Sequence, residues 1–525
     1  MVGVWRNPHW GSSAGLPRRP ETGAAAAAWL GARALTGTGR HGRVLPILLL
    51  NGLRMGGGSL LSGLPAGGVQ TFLGGLGYRA VTTTATLTRS IRRAVREGLG
   101  GLRPLDEGPS TVVVVTVPKG HGAPESAGGH RIVGTPRVHK TPLTRPRQDP
   151  EEFAALAGWL AAYRPRELIN LQGAPTEPVS RALDPGRPVN PPAVPSPQGR
   201  VGAAASGARA ARAADFPFGA AVAEVVTGLH RAYGLRIFSP DGLASNRLNF
   251  RDGQGNLPPW IIEVLNEELC HLWTQGYLET GRRALVVSYE GFAPIVASLL
   301  AQHLTHRRLA ATAGRPLAPS ITYLLTSLGW QNTVSHANPG LVDIVLATGD
   351  PSVHVYTPAD AARTAAAVTF TARQIGQCNL IVSSKHPTPA FPLDTVESEL
   401  RDGYSVWSDF SDPGPPELVV VSAGDIAARE LTQAARALRT PPGRTRIRYL
   451  HVHDLTCLGS PATRPAGIPD AAFAELIPPG VPALGGGALP PSADPRPDCG
   501  ARSSEPGDGA GLAEPSSPDV AAETP

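Results

Sequence analysis

Short apolar runs rich in β-branched residues alternate with helical patterns along this chain, and this alternation restricts its fold more than any other feature. The runs predict strands at 44–50, 111–117, 284–288, 353–356, 379–383, 418–422 and 447–452. Apolar residues at helical spacing predict helices at 151–163, 218–233, 260–277, 293–306, 360–374 and 425–438. Continuous apolar strands that alternate with helices are typical of parallel sheets covered on both faces. The sequence therefore predicts an α/β protein.

Two segments rich in glycine, proline and alanine interrupt this alternation, in a chain of 525 residues that contains 61 glycines and 54 prolines. They lie at 173–215 and 478–525, and such a composition has too few large apolar side chains for a packed core. We therefore predict a linker and a disordered tail. Three α/β blocks remain, at 1–172, 216–410 and 411–477.

The four cysteines, at positions 270, 378, 457 and 499, lie far apart and form no CxxC pair. This spacing argues against a zinc site and against a disulfide framework. The longest apolar run, 44–50, is less than half of a membrane span, and the N-terminus has no export pattern. We therefore expect a protein of the reducing cytoplasm with no membrane anchor.

The first hundred residues are strongly basic, with twelve arginines, two glutamates and neither aspartate nor lysine. A basic segment of this kind is compatible with phosphate contacts to nucleic acid. However, the arginines are scattered among apolar segments that contain few aromatic residues for base stacking. Nucleic-acid binding is therefore kept as an alternative and is not the expected function.

Polar residues follow several predicted strands, at the positions where parallel sheets bind their ligands. Lys119 and Lys385, two of only three lysines, each lie just after a strand. An ammonium group there suits a phosphorylated or carboxylated metabolite. The sequence shows no phosphate-binding glycine loop, serine-hydrolase elbow or HExxH pair in a strand-turn-helix context. Composition and spacing thus predict an α/β protein that handles an anionic small molecule.

Nine ordered sets of segments, most of them at predicted strand ends, resemble the thiamine-diphosphate-dependent phosphoketolases. They are VLPILLLNG (44–52), TVPKG (116–120) with GTPRVHKTPL (134–143), IFSPDGLASNRLN (237–249), VLNEELCHLWTQGYLETGR (264–282), VSYEGFAPIV (287–296), VSHANPG (334–340), VYTPAD (355–360), NLIVSSKHP (379–387) and SAGD (422–425). The resemblance implies a parallel-sheet thiamine-diphosphate-binding fold. It further implies one near-complete pyrimidine-type domain with partial diphosphate-binding and C-terminal domains.

The resemblance also implies a lyase activity, two cofactors and an assembly. Phosphoketolases cleave xylulose 5-phosphate or fructose 6-phosphate between C2 and C3 with inorganic phosphate, which gives acetyl phosphate and an aldose phosphate. The implied cofactors are thiamine diphosphate and Mg²⁺, and the implied assembly is a homodimer. By position, Glu267 corresponds to the catalytic carboxylate that hydrogen-bonds the aminopyrimidine ring of the cofactor, and Asn51 to a Mg²⁺ ligand.

The remaining implied site residues contact the substrate or move protons. His139 corresponds to an active-site histidine suited to proton transfer. Tyr289, Asn332 and His336 correspond to a cluster that positions the substrate hydroxyls and phosphate, and His336 is also expected to be catalytic. Arg247 and Lys385 correspond to the cations that bind the substrate phosphate.

The chain departs from the family pattern at the metal site. The position aligned with the aspartate of the family's Gly-Asp-Gly turn is Pro17, which has no side-chain oxygen for Mg²⁺. The resemblance also implies truncation at both ends, because it starts just before this motif and ends near 471–478. We therefore expect impaired catalysis. A catalytically inactive remnant and a basic nucleic-acid-binding protein stay open as alternatives.

Overall fold

The computed structural model describes residues 2–6, 26, 28–29, 31, 43–53, 57–85, 88–103, 108–139, 141–183, 218–328, 338, 340–440, 444–462, 464 and 466–487. The strands are β1 (Val2–Arg6), β2 (Arg43–Leu50), β3 (Tyr78–Thr84), β4 (Ser110–Thr116), β5 (Ser126–Ala127), β6 (His130–Arg131), β7 (Arg236–Ser239), β8 (Ile261–Glu263), β9 (Ala284–Tyr289), β10 (Ile321–Thr326), β11 (Val353–Tyr356), β12 (Cys378–Val382), β13 (Tyr404–Val406), β14 (Leu418–Ala423), β15 (Ile447–Val452) and β16 (Ala483–Gly487). The α-helices are α1 (Gly68–Gly75), α2 (Thr88–Gly100), α3 (Pro150–Ala162), α4 (Pro165–Leu168), α5 (Glu177–Leu183), α6 (Phe218–Tyr233), α7 (Glu267–Leu278), α8 (Ala297–Thr312), α9 (Gly340–Ala347), α10 (Ala361–Thr371), α11 (Val396–Asp402), α12 (Asp425–Leu438) and α13 (Asp470–Leu476).

The first sheet has the strand order β1-β2-β4-β3, with β1 antiparallel at one edge and the other three strands parallel. Strand β4 carries four consecutive valines that are all buried. Successive side chains of a strand point to opposite faces. Accordingly, Val112 and Val114 pack in one apolar cluster, while Val113 and Val115 pack in another on the opposite face. A run that is apolar at every position is thus explained by a sheet covered on both sides.

The second sheet is fully parallel and has the order β11-β12-β10-β9-β7-β8. Its central strands β9 and β10 are buried along nearly their whole length, because apolar clusters cover both faces of the sheet. The chain passes from β7 to β8 on one side of β7, and then to β9 on the other side. The winding direction therefore reverses at β7, which is where open α/β sheets form their ligand crevice.

The third sheet, of order β13-β15-β14-β16, is joined to the second by backbone hydrogen bonds. Thr357 N donates to His453 O at 2.7 Å, and Gly424 N donates to Thr357 O at 3.2 Å. Val452 and Leu455 lie in the same apolar cluster as residues of the second sheet. The two sheets therefore share one core.

A buried ion network lies next to this junction. Arg363 of α10 is fully buried, and its guanidinium donates to Glu399 Oε2 and to Asp360 Oδ2, each at 2.8 Å. Burial opposes ionisation of Glu399, but the neighbouring Arg363 prevails and holds the pKa of that carboxyl well below its ordinary value. Glu399 lies in α11, which leads directly into β13, so the ion pair connects the second sheet's helices with the third sheet.

The structure corrects one predicted helix and adds strands that sequence analysis did not identify. The segment predicted as helical at 260–277 contains β8 first, and α7 begins only after Asn266, whose side chain accepts a hydrogen bond from Leu269 N at 2.7 Å. Ile261 and Ile262 fit helical spacing but lie in an edge strand. The additional strands include β3, β7 and β10.

The predicted boundaries also need correction where short elements occur in glycine- and proline-rich sequence. Helix α5 lies inside the predicted linker, and β16 lies inside the predicted tail, where it pairs in parallel with β14. The sequence of β16, ALGGG, has low strand propensity, so its pairing depends on the backbone ladder that β14 offers. Strand β13 pairs with β15 and belongs to the third sheet, although it precedes the predicted boundary at 411.

Two further observations concern the cysteines and the helices. Cys270, Cys378 and Cys457 are buried free thiols. No helix in the described ranges is both long and apolar enough to cross a membrane.

Replacing Arg363 by methionine is expected to lower the free energy of unfolding by about 3–5 kcal/mol, because Glu399 and Asp360 would become uncompensated buried charges. Urea unfolding followed by tryptophan fluorescence measures this loss. Arg401→Met is the control: it removes an ion pair with Asp402 that is more than 40% exposed on both sides, and should change the free energy of unfolding far less, because solvent screens the pair. A small, equal effect of both substitutions would show that the buried network does not stabilise the fold.

Candidate functional site

The candidate site lies at the carboxyl ends of β7 and β9, where the winding of the second sheet reverses. Asp241 follows β7 by two residues, and its Oδ2 accepts hydrogen bonds from Tyr289 N at 2.8 Å and from the Ser288 hydroxyl at 2.9 Å. One carboxylate thus bridges the ends of two neighbouring strands. This bridge fixes the backbone from which the Tyr289 side chain projects.

Lys385 contacts Tyr289 directly. Its ammonium donates to Ser245 O at 2.9 Å and to the Tyr289 hydroxyl at 3.3 Å, and lies 4.4 Å from the centre of the tyrosine ring. Burial raises the pKa of Tyr289, but hydrogen bonds with Ser245 and Lys385 outweigh this effect and lower the phenol pKa below its ordinary value. The half-buried cation is therefore held in one position before any anion binds.

The backbone around Lys385 is fixed by a second buried carboxylate. Asp425, at the start of α12, accepts a hydrogen bond from Ser384 N at 2.8 Å and another from Ile426 N at 2.8 Å. Burial raises the pKa of Asp425 to about 6 despite these hydrogen bonds. The Ser384 hydroxyl in turn accepts from His386 N at 3.1 Å. The loop that carries Lys385 is thus held on both sides of the lysine.

Arg247 brings a second cation to the same region. Its backbone is left-handed, with φ of 58°, and a Cβ atom at Gly219 would lie 1.9 Å from Arg247 O, so the loop packs directly on the first turn of α6. The pKa of His386 is lowered by burial and then by the charges of Arg247 and Lys385. The two cations are therefore both close to His386, and together they form an electropositive site suited to a phosphate group.

Glu267 is the first residue of α7 and is half-buried. Burial raises the pKa of its carboxyl, and the nearby charges of Asp241 and Glu268 raise it further, although a backbone hydrogen bond acts in the opposite direction. The carboxylate of Asp241, which binds the end of β9, therefore also acts on the charge of Glu267. The raised pKa favours the protonated form of this carboxyl, which suits a hydrogen bond to a ring nitrogen such as that of an aminopyrimidine. The residues on this side fit thiamine diphosphate.

The residues on the side of the expected Mg²⁺ site fit that ion less well than Glu267 fits thiamine diphosphate. Asn51 follows β2, and its Oδ1 already accepts a hydrogen bond from Leu53 N at 3.1 Å. The first hundred residues contain only two carboxylates, Glu21 and Glu97, and Glu97 is hydrogen-bonded to Arg79 at 3.2 Å. Mg²⁺ requires a near-octahedral set of oxygen ligands. The side-chain amide of Asn51 offers one of them. The arrangement does not fit a complete Mg²⁺ site.

The structure brings together some of the sequence-predicted residues. Lys385 and Tyr289 are in contact, Arg247 acts on the neighbouring His386, and Glu267 is coupled to Asp241. His139 is exposed at the end of a short 3-10 turn, Pro136–His139. Asn332 and His336, as well as Pro17, lie outside the described residues.

Sequence reasoning did not identify Asp241, Ser245 or Asp425 as site residues. Each of them supports the backbone or the ammonium group of a predicted residue. Asp241 and Ser245 follow the short strand β7, which was not predicted, and Asp425 follows β14. Their position after a strand is the signal that could have identified them.

Comparison with protein families gives three matches to parts of one family. The model described as D-xylulose 5-phosphate/D-fructose 6-phosphate phosphoketolase matches residues 217–373. The model of its N-terminal domain matches 18–189, and the model of its C-terminal domain matches 385–484. The three matches follow one another along the chain in the order of the family.

Curated relatives agree with these matches. A probable phosphoketolase of Streptomyces avermitilis is 31% identical over 87% of this chain and 64% of its own length. A probable phosphoketolase of Nocardia farcinica is also 31% identical, over 87% of this chain and 61% of its own length. The chain therefore spans somewhat less than two thirds of these relatives.

Solved structures share the fold at low sequence identity. The transketolase of Leishmania mexicana has a TM-score of 0.58 and 18% identity, over 89% of this chain and 67% of that one. A Pichia stipitis transketolase in complex with sedoheptulose-7-phosphate has a TM-score of 0.57 and 15% identity over the same shares. The fold is thus a transketolase-like α/β fold with parallel sheets, which agrees with the predicted thiamine-diphosphate-binding fold. The three family matches and the curated relatives lead to one assignment: the chain belongs to the phosphoketolase family, whose enzymes depend on thiamine diphosphate.

Proposed function

We propose that this chain binds a ketose phosphate in the crevice between β7 and β9. The proposed reaction is the phosphate-dependent C2–C3 cleavage of xylulose 5-phosphate or fructose 6-phosphate to acetyl phosphate and an aldose phosphate. The contact between Lys385 and Tyr289, with Arg247 nearby, is the observation that carries this proposal. It supplies a positioned ammonium and a guanidinium for a phosphate, and a phenol for a substrate hydroxyl.

Other residues are proposed to act on the cofactor and on protons. Thiamine diphosphate, when bound, supplies the carbanion chemistry that breaks the bond next to the ketose carbonyl. Glu267 would hydrogen-bond the aminopyrimidine ring through a carboxyl whose raised pKa favours the protonated form. His139 would move protons from its exposed turn. Asn332 and His336 would complete the substrate contacts.

The metal side limits the proposed activity. Asn51 would supply one oxygen ligand for Mg²⁺, and the aligned Pro17 supplies none. We therefore propose that the chain binds the ketose phosphate but holds the diphosphate weakly, so that its turnover is slow. If the diphosphate is not held at all, the chain is a catalytically inactive remnant.

We also propose a homodimer in a reducing cytoplasm. The family resemblance suggests the dimer. Three buried cysteines remain free thiols, which suits a reducing compartment. Neither statement affects the substrate contacts described above.

One observation favours a second candidate function. Helix α2 presents Arg89, Arg92, Arg93 and Arg96, all of them exposed. Such a basic helix face is compatible with phosphate contacts to nucleic acid.

Lys385→Met is expected to weaken binding of xylulose 5-phosphate by roughly 10- to 100-fold, because a hydrogen bond to a charged group contributes about 1.5–3 kcal/mol. Isothermal titration calorimetry measures the affinity. Arg315→Met is the matched control, since it removes an exposed cation that precedes β10, on the side of the amino ends of the parallel strands and not on the side of the carboxyl ends. Equal affinities of the two variants would contradict the proposed phosphate contact.

Glu267→Gln is expected to abolish acetyl phosphate release, measured as hydroxamate, and at the same time to raise the thermal midpoint at neutral pH. The pKa of Glu267 is raised in the folded state, so its ionisation opposes folding. The stability cost is absent while the carboxyl is protonated and grows as pH rises from the unfolded-state pKa to the folded-state pKa.

The stability gain should therefore disappear below the ordinary carboxyl pKa of about 4.3. Glu268→Gln, one residue along the same helix, is the control and should retain whatever activity the unmodified chain has. An active Glu267→Gln variant would contradict the assigned role. A stability gain that persists unchanged in acid would contradict the electrostatic argument.

The second candidate predicts that the chain is retained on immobilised DNA and released at increasing salt, because phosphate contacts release counterions. Replacing Arg89, Arg92, Arg93 and Arg96 by glutamine should then lower the salt concentration of elution. We expect weak retention that these replacements do not change. Strong retention that the four replacements abolish would favour nucleic-acid binding.

A further inference from the structure

Three side chains of metal-ligating type meet in the interior, at the third sheet. Glu399 lies in α11, while His451 and His453 lie at and just beyond the end of β15. All three are fully buried. One potential ligand atom from each residue lies within 4.8 Å of the other two.

Three of the four histidine nitrogens in this cluster lack hydrogen-bond partners within the described part of the chain. His451 Nδ1 pairs with the Ser422 hydroxyl at 3.1 Å, but its Nε2 has no partner. Both ring nitrogens of His453 are buried without a partner. An unsatisfied buried polar group costs about 1–3 kcal/mol. Two such imidazoles side by side indicate an occupant that would satisfy them.

Glu399 has one carboxylate oxygen with capacity for such an occupant. Its Oε1 accepts four hydrogen bonds, from Arg363, Thr395, Ser405 and Trp407. Its Oε2 accepts one, from Arg363 Nε at 2.8 Å. The distance from Oε2 to His453 Nδ1 is 3.9 Å, too long for a hydrogen bond. Ligand atoms on one tetrahedral zinc, with bonds of about 2.0–2.1 Å, are separated by about 3.4 Å. Oε2 and Nδ1 would therefore have to approach each other by roughly half an ångström, and any pair of ligand atoms near the 4.8 Å limit of the cluster would have to approach further.

The local charge also favours a cation. Three carboxylates lie around His453: Glu399 Oε2 is 3.9 Å from its Nδ1, Asp454 is its neighbour in the chain, and Asp360 shares the guanidinium of Arg363 with Glu399. Asp454 is partly matched by His354 at 2.7 Å. His451 Nδ1 is occupied by the Ser422 hydroxyl, which leaves Nε2 as the nitrogen available for coordination. A divalent cation would balance the excess of carboxylates without protonating either histidine.

We propose that Glu399 Oε2, His451 Nε2 and His453 Nδ1 bind a divalent transition-metal ion of the zinc class, with a buried water completing a tetrahedron. Two imidazoles and a carboxylate suit zinc, whereas Mg²⁺ prefers oxygen ligands. Arg363 Nε keeps its hydrogen bond to the carboxylate and orients it from outside the coordination shell. The ion would connect α11 with β15 and stabilise the third sheet. The spacing of the cysteines did not reveal this site because it uses none.

Cobalt substitution tests this proposal without any measurement of enzyme activity. The full chain, free of any affinity tag, is stripped of metal with a chelator and then titrated with Co²⁺. We expect one Co²⁺ per chain with the visible absorption of a tetrahedral complex, which Zn²⁺ displaces. Zn²⁺ should also raise the thermal midpoint of the stripped chain.

His453→Leu is the decisive variant, because it removes two unpartnered nitrogens and leaves no new polar group unsatisfied. It should fold and lose both the cobalt absorption and the stabilisation by Zn²⁺. His121→Leu, which changes an exposed histidine, should retain both. If His453→Leu fails to fold, His451→Asn is expected to show the same losses. A folded chain that binds no Co²⁺, or equal binding by the His453 and His121 variants, would overturn the proposal and leave a buried water as the occupant.

Discussion

The hydrogen bonds from Tyr289 N and the Ser288 hydroxyl to Asp241 are the contacts on which the candidate site depends. They join the ends of two parallel strands at the position where the sheet reverses its winding. Once this connection is made, the Tyr289 phenol and the Lys385 ammonium meet without further rearrangement. The same carboxylate lies close enough to Glu267 to raise its pKa. The carboxylate of Asp241 thus acts both on the phosphate-binding side, through Tyr289, and on the cofactor-binding side, through Glu267.

A second polar network serves a different purpose. Arg363, Asp360 and Glu399 are buried where the helices of the second sheet meet the third sheet. Their charges compensate one another, so this region stabilises the arrangement of domains and not the substrate. His451 and His453 lie next to this network and supply the nitrogen ligands of the proposed metal site. Substrate contacts and domain contacts therefore rely on separate sets of charged residues.

The sequence predicted the parallel α/β architecture because strands such as β4 contain a run of consecutive apolar residues, which a sheet covered on both faces explains. The family resemblance supplied Lys385, Tyr289 and Glu267. Sequence analysis did not single out Asp241 and Asp425: their position after a strand was the available signal, but their roles are hydrogen bonds to backbone groups 48 and 41 residues away. Elements such as β16 and α5 were missed because glycine- and proline-rich segments carry little local signal and form through pairing or packing with distant residues.

The central claim is that the crevice between β7 and β9 binds the phosphate of a sugar phosphate. A crystal structure of the chain grown with xylulose 5-phosphate tests it most directly. The account predicts phosphate density within hydrogen-bonding distance of Lys385 Nζ and the Arg247 guanidinium, with a sugar hydroxyl near the Tyr289 phenol. Sugar phosphate bound elsewhere on the chain, while Lys385 keeps its contacts with Ser245 O and Tyr289, would contradict it.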